Sequence, residues 1–344
     1  MPSTFDSLPS GVACSQDSLS VAQGQPSVSF IIPVLNDQAN IERCVRSILA
    51  LKCPRQEYEI IVLDNGSTDG THRVLQKFGL PFHVIQHVHV SALRNRGARC
   101  AKGHFLAFID SDVEVSPDWI VKSLEEFRDP GVVAAGCFPE IPEQATWVQR
   151  AWDIHQRGRQ SPQTGPVAWL PSMNLMVRRD AFLTIGGFNE QLETAEDVDL
   201  CYRLSEKGMI LNNPSMKAVH WGEASTLVIF WKKEVWRGIG NVKGLFSHGL
   251  RFDELPSLGY PVYTLLMVLG SVIGGIVDLR NGQWLWSLVG FGLLVLPGIL
   301  LTVNTIRKAG QVHYAIPLFT LYVIYGLARA CSLVKACFPR GKHR

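Results

Sequence analysis

Three uncharged stretches toward the C-terminal end constrain this chain more than any other feature. Leu258–Val277, Trp284–Ile306 and Ala309–Ala328 contain no Asp, Glu, Lys or Arg. Crossing a bilayer core takes about 20 predominantly apolar residues, so each stretch is long enough to span. About three transmembrane helices are therefore expected within residues 256–338. Tyr260, Tyr263, Trp284 and Trp286 lie near their ends, where amphipathic rings favour the membrane interface. A helical hairpin buried in protein is the alternative, and the glycine-rich run LGSVIGGIV at 269–277 suits close packing in either case. Just ahead, residues 226–255 mix Phe230, Trp231, Trp236 and Phe246 with Lys232, Lys233, Arg237 and Lys243. Aromatic and basic residues at helical spacing describe an amphipathic helix lying in the interface. The plainer reading is a surface helix with a solvated basic face. Its cations are also suited to neutralising a diphosphate.

The remaining sequence is not membrane-like. Residues 1–26 are rich in Ser, Gln, Pro and Gly and contain no Lys or Arg, which describes a disordered tail and not a secretory signal. Residues 339–344 form a short basic tail. The net charge of +3 is too small to argue for a nucleic-acid partner. Eight cysteines are scattered without a C-x-x-C pair, which suggests reduced, mostly buried thiols, not a disulfide framework or a zinc site.

From Val28 onward, strand and helix patterns alternate. Strands are expected at 28–34, 58–63, 82–86, 105–109, 132–138 and 174–177, and helices at 40–51, 71–78, 91–102, 117–127, 146–157 and 195–207. This β-α order with short loops predicts an α/β domain over 27–225 with a mostly parallel sheet. The loop at 157–166 is a candidate acceptor lid or a plain surface excursion.

The strand ends carry the polar groups. Phe105–Ile109 is a short apolar run suited to a strand buried on both faces, and it ends at Asp110 and Asp112. Ligands of open α/β sheets collect at the carboxyl ends of strands. Mg2+ is often held by one or two carboxylates plus substrate phosphates, so this D-x-D reads as a metal–diphosphate anchor. A polar turn ahead of the next helix is the bland alternative. Asn36-Asp37 follows the first strand, and Asp64 through Gly70 (DNGSTDG) follows the second. Carboxylates there can accept hydrogen bonds from a base or ribose, although the same residue types make ordinary turns. There is no G-x-G-x-x-G after the first strand and no P-loop pattern, so dinucleotide and P-loop readings are unsupported. Glu196 and Asp197 fall in the first turn of a helix, as a catalytic carboxylate pair or as part of a Thr194–Asp197 capping box. His220 follows a short strand and can complete an oxygen-rich cation site, or simply pack.

The ordered set SFIIPVLNDQANI, IIVLDNGSTDGT, LRNRGARCAKGHFLAFIDSDVEVSPDW, IGGFNEQLETAEDVDLCYRL and VHWGEAS resembles the family-2 glycosyltransferases of the bacterial membrane-anchored kind, over residues 28–225. The resemblance implies a GT-A fold and a nucleotide-sugar donor, with a UDP-sugar expected. It implies Asp37 and Asp64 as base and ribose contacts, with Asp69, Asn95 and Asp110 in the same nucleotide-binding set. It further implies Asp112, Asp110 and His220 around Mn2+ or Mg2+, and Asp197 beside Glu196 as the general base of an inverting transfer. Trp236-Arg237-Gly238 looks like a degenerate form of the Q-x-x-R-W motif of processive synthases. A lipid-linked or glycan acceptor, contact with membrane lipid, and a multi-pass inner-membrane placement with the catalytic domain in the cytoplasm are expected. The Arg307-Lys308 loop fits that orientation. A third span sets the basic tail outside, unless Arg329 and Lys335 mark an interfacial end to the last segment. A polyprenyl-phosphate sugar synthase and a non-catalytic membrane scaffold on the same fold are the alternative functions.

Overall fold

The computed structural model of the chain describes residues 26–158, 163–248 and 255–337. The expected N-terminal tail up to residue 25, the basic C-terminal tail and part of the expected 157–166 lid lie outside the described residues.

Strand β1 (Val28–Val34) is buried along its whole length, which is why it reads as a continuous apolar run and not as an alternating one. Helix α1 (Gln38–Leu49) buries Ile41, Cys44, Val45 and Ile48, one stripe at helical spacing. Then follow β2 (Tyr58–Asp64), α2 (Thr71–Lys77), β3 (Phe82–Val84), α3 (Val90–Cys100) and β4 (Phe105–Ile109). This half is parallel, with β1 paired to β2 and β4, and β3 on the far side of β2.

The second half is mixed. Next come β5 (Val113–Val115), α4 (Trp119–Glu126), β6 (Val132–Gly136), α5 (Trp147–Arg157) and β7 (Gly165–Pro166). They are followed by β8 (Asn174–Arg178), α6 (Arg179–Thr184), α7 (Glu196–Ser205), β9 (Met209–Asn212) and β10 (Ala218–His220). The eight-stranded sheet runs β3-β2-β1-β4-β8-β6-β9-β7, with β8 antiparallel to both neighbours. Strands β5 and β10 form a small separate antiparallel ribbon. The sequence pattern predicts β4, β6 and β8 but leaves the direction of β8 open and misses β5, β7 and β9, which have two to four residues each. One apolar cluster joins α1 and α4 to one face of the sheet, and a second joins α3, α6 and α7 to the other.

Three long helices complete the chain: α9 (Leu255–Asn281), α10 (Leu285–Ala309) and α11 (Ala315–Cys337), preceded by α8 (Leu227–His248). Segments Gly259–Asn281, Leu285–Ala309 and Val312–Lys335 are long and apolar enough to cross a membrane. The last is the most enclosed, since α11 packs against α8, α9, α10 and α5. A third cluster, with Trp152 of α5, Phe230 of α8 and Tyr322 of α11, seats the α/β domain directly on this helical unit. The α8–α11 contact also contains charge. Glu234 is 1% exposed and accepts from Arg329 at 2.8 and 3.0 Å and from Arg237 at 2.7 Å. Arg329 is thereby accounted for as an interhelical partner.

Among the described residues Cys44, Cys53, Cys137, Cys201 and Cys331 are free thiols. Cys100, at the end of α3, is disulfide-bonded and departs from the expectation of reduced thiols throughout.

Candidate active site

The site forms where the carboxyl ends of β1 and β4 meet the β5–β10 ribbon and the start of α7. Strand β4 runs out at Ile109, and the chain turns through Asp110, Ser111 and Asp112 into β5. Ser111 donates to Asp37 Oδ2 at 2.7 Å, so the loop after β1 is tied to the loop after β4. Ribbon register sets His220 opposite Val113, one residue from Asp112. The consequence is a 3.2 Å contact between His220 Nε2 and Asp112 Oδ2. On the other side of the ring, Glu223 Oε1 lies 3.3 Å from Nδ1. Burial works against a charged imidazole, but the Asp112 and Glu223 carboxylates outweigh it and push its pKa up to about 10. Burial also opposes ionisation of Asp112, and the His220 hydrogen bond reverses that, holding its carboxyl below the usual range.

Gly222 passes over this pair. A Cβ at that position would run into Asp112 Oδ2 and crowd His220 Nε2, so only glycine permits the approach. Lys233 of α8 donates to the Gly222 carbonyl, so this helix holds the loop.

Asp110 turns the other way. Arg94, 2% exposed on α3, donates to Asp110 Oδ1 at 2.6 Å and to Glu196 Oε1 at 2.9 Å. One guanidinium fork thus holds the β4 loop and the start of α7 together. Beside Glu196, Asp197 accepts from the Val198 amide at 2.8 Å. Burial, then the charge of Glu196, push its pKa up to about 7. The expected Thr194–Asp197 capping box does not form. Ala195 is the N-cap, in a left-handed conformation with φ 61°, and no side chain caps the helix. Such a conformation is rare for a residue with a Cβ and frees Asp197 from the capping role.

Three expected nucleotide-binding residues also make bonds that hold the fold. Asp64 is fully buried; its Oδ2 accepts from the Gly66 and Ser67 amides at 2.9 Å each and contacts His72 Nε2 at 3.0 Å. Asp69 accepts from the Gln38 and Thr71 amides at 3.0 and 2.9 Å, closing the β2–α2 loop onto the β1–α1 loop. Asn95 is 5% exposed and clamps Phe188 by both its carbonyl and its amide, each at 2.8 Å. Asn95 is committed to backbone groups in this way, whereas Asp64 Oδ1 is buried without a hydrogen-bond partner among the described residues and remains an acceptor open to a ligand.

The structure therefore gathers Asp37, Asp110, Asp112, His220, Glu196 and Asp197, with Lys233 among the cations expected near a diphosphate, and adds Arg94 and Glu223, which the sequence alone does not single out. A divalent cation fits one part of this set. Adjacent donors on an octahedral ion with ~2.1 Å bonds lie roughly 3 Å apart, close to the Asp112–His220 separation of 3.2 Å. Carboxylate plus imidazole suits Mn2+. Among the described residues no group of three or more His, Cys, Asp or Glu side chains is arranged to hold a metal. Asp110, engaged by Arg94, does not join the pair, so remaining ligands fall to substrate oxygens and water.

Residues 29–186 match the sequence profile of Glycosyl transferase family 2. Over these residues the chain has the sequence pattern of a family-2 glycosyltransferase domain. It is 28% identical over 194 residues to glycosyltransferase AglE of Haloferax volcanii, covering 54% of this chain and 64% of that one. It is 31% identical over 199 residues to a pre-mycofactocin glycosyltransferase of Mycobacterium tuberculosis, covering 53% of this chain and 39% of that one. The chain thus spans less than two thirds of these relatives. The solved mannosyltransferase PcManGT from Pyrobaculum calidifontis, in complex with GDP-Man and Mn2+, superposes with a TM-score of 0.59 at 15% identity, covering 94% of this chain and 92% of that one. The fold is of the GT-A type, as the family-2 profile match and the structural likeness show, with a mostly parallel half of the sheet.

Proposed function

We propose that this protein is an inverting, cation-dependent glycosyltransferase that moves a sugar from a nucleotide-sugar, a UDP-sugar in our reading, to a hydroxyl of a lipid-linked or glycan acceptor at the cytoplasmic face of an inner membrane. The observation that carries the reading is the Arg94 fork, which ties the D-x-D loop to the helix start bearing Asp197.

In this reading Asp37, Asp64 and Asp110 face the nucleoside part of the donor, and Asp112 and His220 would hold the cation. A bound divalent cation supplies neutralisation of the diphosphate as it departs. The acceptor oxygen attacks the anomeric carbon, the bond from that carbon to the diphosphate oxygen breaks, and Asp197 takes the hydroxyl proton. A single displacement inverts the anomeric centre. A carboxylate with its pKa pushed up to about 7 is matched to proton transfer near neutrality.

Helix α8 supports the membrane placement. Val228, Ile229, Lys232 and Trp236 are exposed along one side of it, an apolar stripe with a cation suited to the headgroup region. The decisive test is transfer of label from a panel of radiolabelled nucleotide sugars into lipid extract, using membranes that contain the protein, with Mn2+ or with EDTA. Label from one donor, lost with EDTA, is expected. The Asp197→Asn variant is expected to bind nucleotide yet transfer nothing. Transfer surviving that substitution would reject Asp197 as base and favour a phosphate nucleophile that needs none.

A further inference from the structure

Glu223 stands behind His220, on the side of the ring away from Asp112. Its Oε1 lies 3.3 Å from Nδ1, while Nε2 faces Asp112 Oδ2 at 3.2 Å. The ring is 6% exposed. A neutral imidazole has one N–H and one lone pair, and the partner of one nitrogen decides which the other presents. An ionised carboxylate only accepts. Glu223 therefore retains the proton on Nδ1, so that a divalent cation taking the place of the Nε2 proton beside Asp112 would meet the Nε2 lone pair.

The main chain around the ring is already held. The His220 amide donates to Glu140 O at 2.8 Å, the Trp221 amide to Asp112 O at 2.8 Å, and Gln149 Nε2 to Glu223 O at 3.2 Å. These bonds fix the loop but do not choose the tautomer. Among the described residues the Glu223 side chain is the partner of Nδ1, and none of the backbone bonds requires a carboxylate at that position.

We infer that Glu223 is a positioning residue of the cation site, setting the tautomer and direction with which His220 presents Nε2 beside Asp112. The inference rests on the reading above that Asp112 and His220 hold a divalent cation. Loss of such an outer partner costs roughly 10–100-fold in metal affinity in metalloproteins generally.

The test is Mn2+ binding to the full-length protein in detergent, without donor, followed by the electron paramagnetic resonance signal of free Mn2+. Thermal unfolding of each variant is recorded alongside. Glu223→Ala is expected to weaken Mn2+ binding roughly 10–100-fold. Glu223→Gln, which retains an acceptor oxygen, is expected to recover most of the loss. The double variant His220→Ala/Glu223→Ala is expected to bind no more weakly than His220→Ala alone, because Glu223 acts through the ring. Wild-type affinity in Glu223→Ala, or a full further loss in the double variant, would overturn the positioning role. Should Glu223→Ala fail to fold, Glu223→Gln against Glu223→Met makes the same comparison, since Gln accepts and Met does not. Wild-type protein that binds no Mn2+ overturns the cation reading itself, an outcome distinct from equal binding by wild type and variant.

Discussion

Arg94 donates to Asp110 at 2.6 Å across two elements of the fold, and both groups are largely enclosed. The same guanidinium serves Glu196, so one cation balances two carboxylates. Removing it leaves two anions near each other in a poorly solvated place. Breaking a buried pair from one side costs about 3–5 kcal/mol. Arg94→Met is expected to lower the unfolding midpoint accordingly. Arg94→Lys keeps the charge but cannot bridge both partners with one planar fork. It is expected to fold and to lose transfer by about 10²-fold, the cost of a misplacement of order 1 Å. Unfolding curves and kcat of the two variants check this.

The Asp197 carboxyl gives opposite signs for activity and stability. Transfer is expected to rise with pH through about 7 as the base ionises. The folded pKa is raised from 3.8, so the fold binds this proton more tightly than the unfolded chain does. The associated stability is complete below the unfolded value and is lost as pH rises through about 7. Asp197→Asn is therefore expected to raise the unfolding midpoint at pH 8 relative to wild type more than at pH 5, while lowering transfer by roughly 10²–10⁴-fold. Equal shifts at both pH values would remove the titration from Asp197.

Gly222→Ala tests the crowding over Asp112. The added methyl meets Asp112 Oδ2, so the carboxylate or the loop must move. Mn2+ affinity is expected to drop by at least ~10-fold, comparable to loss of an outer-sphere partner, with little change in nucleotide-independent folding. Mn2+ titration and thermal unfolding on the same sample separate the two effects.

Glu234 links the site to the helical unit. It is followed back along α8 by Lys233, which holds the Gly222 carbonyl, while Glu234 itself receives Arg329 from α11. Glu234→Gln takes the counter-charge from two guanidiniums and is expected to destabilise by about 3–5 kcal/mol. Because the neighbouring Lys233 holds the cation-site loop, Mn2+ affinity is expected to fall as well. A variant that unfolds earlier yet binds Mn2+ as wild type would uncouple the two.

Much of this architecture was legible in the residues. β1, β2 and β4 announce themselves because a strand covered on both faces must be apolar throughout. The D-x-D was legible because two carboxylates end such a strand, and α9 to α11 because few other structures accommodate twenty uncharged residues. The same reasoning expects Asp112, His220, Asp110, Asp37 and Asp197 at one site, and the folded chain brings them to one edge of the sheet. Asp64, Asp69 and Asn95 are of residue types that suit a ligand and a turn equally, and the observed bonds show their part in the turns.

By itself, then, the sequence determined the α/β alternation, the apolar helical end and the chemistry available at the strand ends, since periodicity and residue type are local properties. Tertiary structure alone decided which charges meet. Arg94, Arg96 and Arg99 are equivalent in the string LRNRGARC, yet only Arg94 is fully enclosed between Asp110 and Glu196. The reversed strand β8, the pairing of His220 with Asp112 over a separation of 108 residues, and the reach of Lys233 from α8 into the site are likewise products of packing. Contacts between residues so far apart depend on how the sheet closes and where the helical unit docks, and no local pattern encodes that.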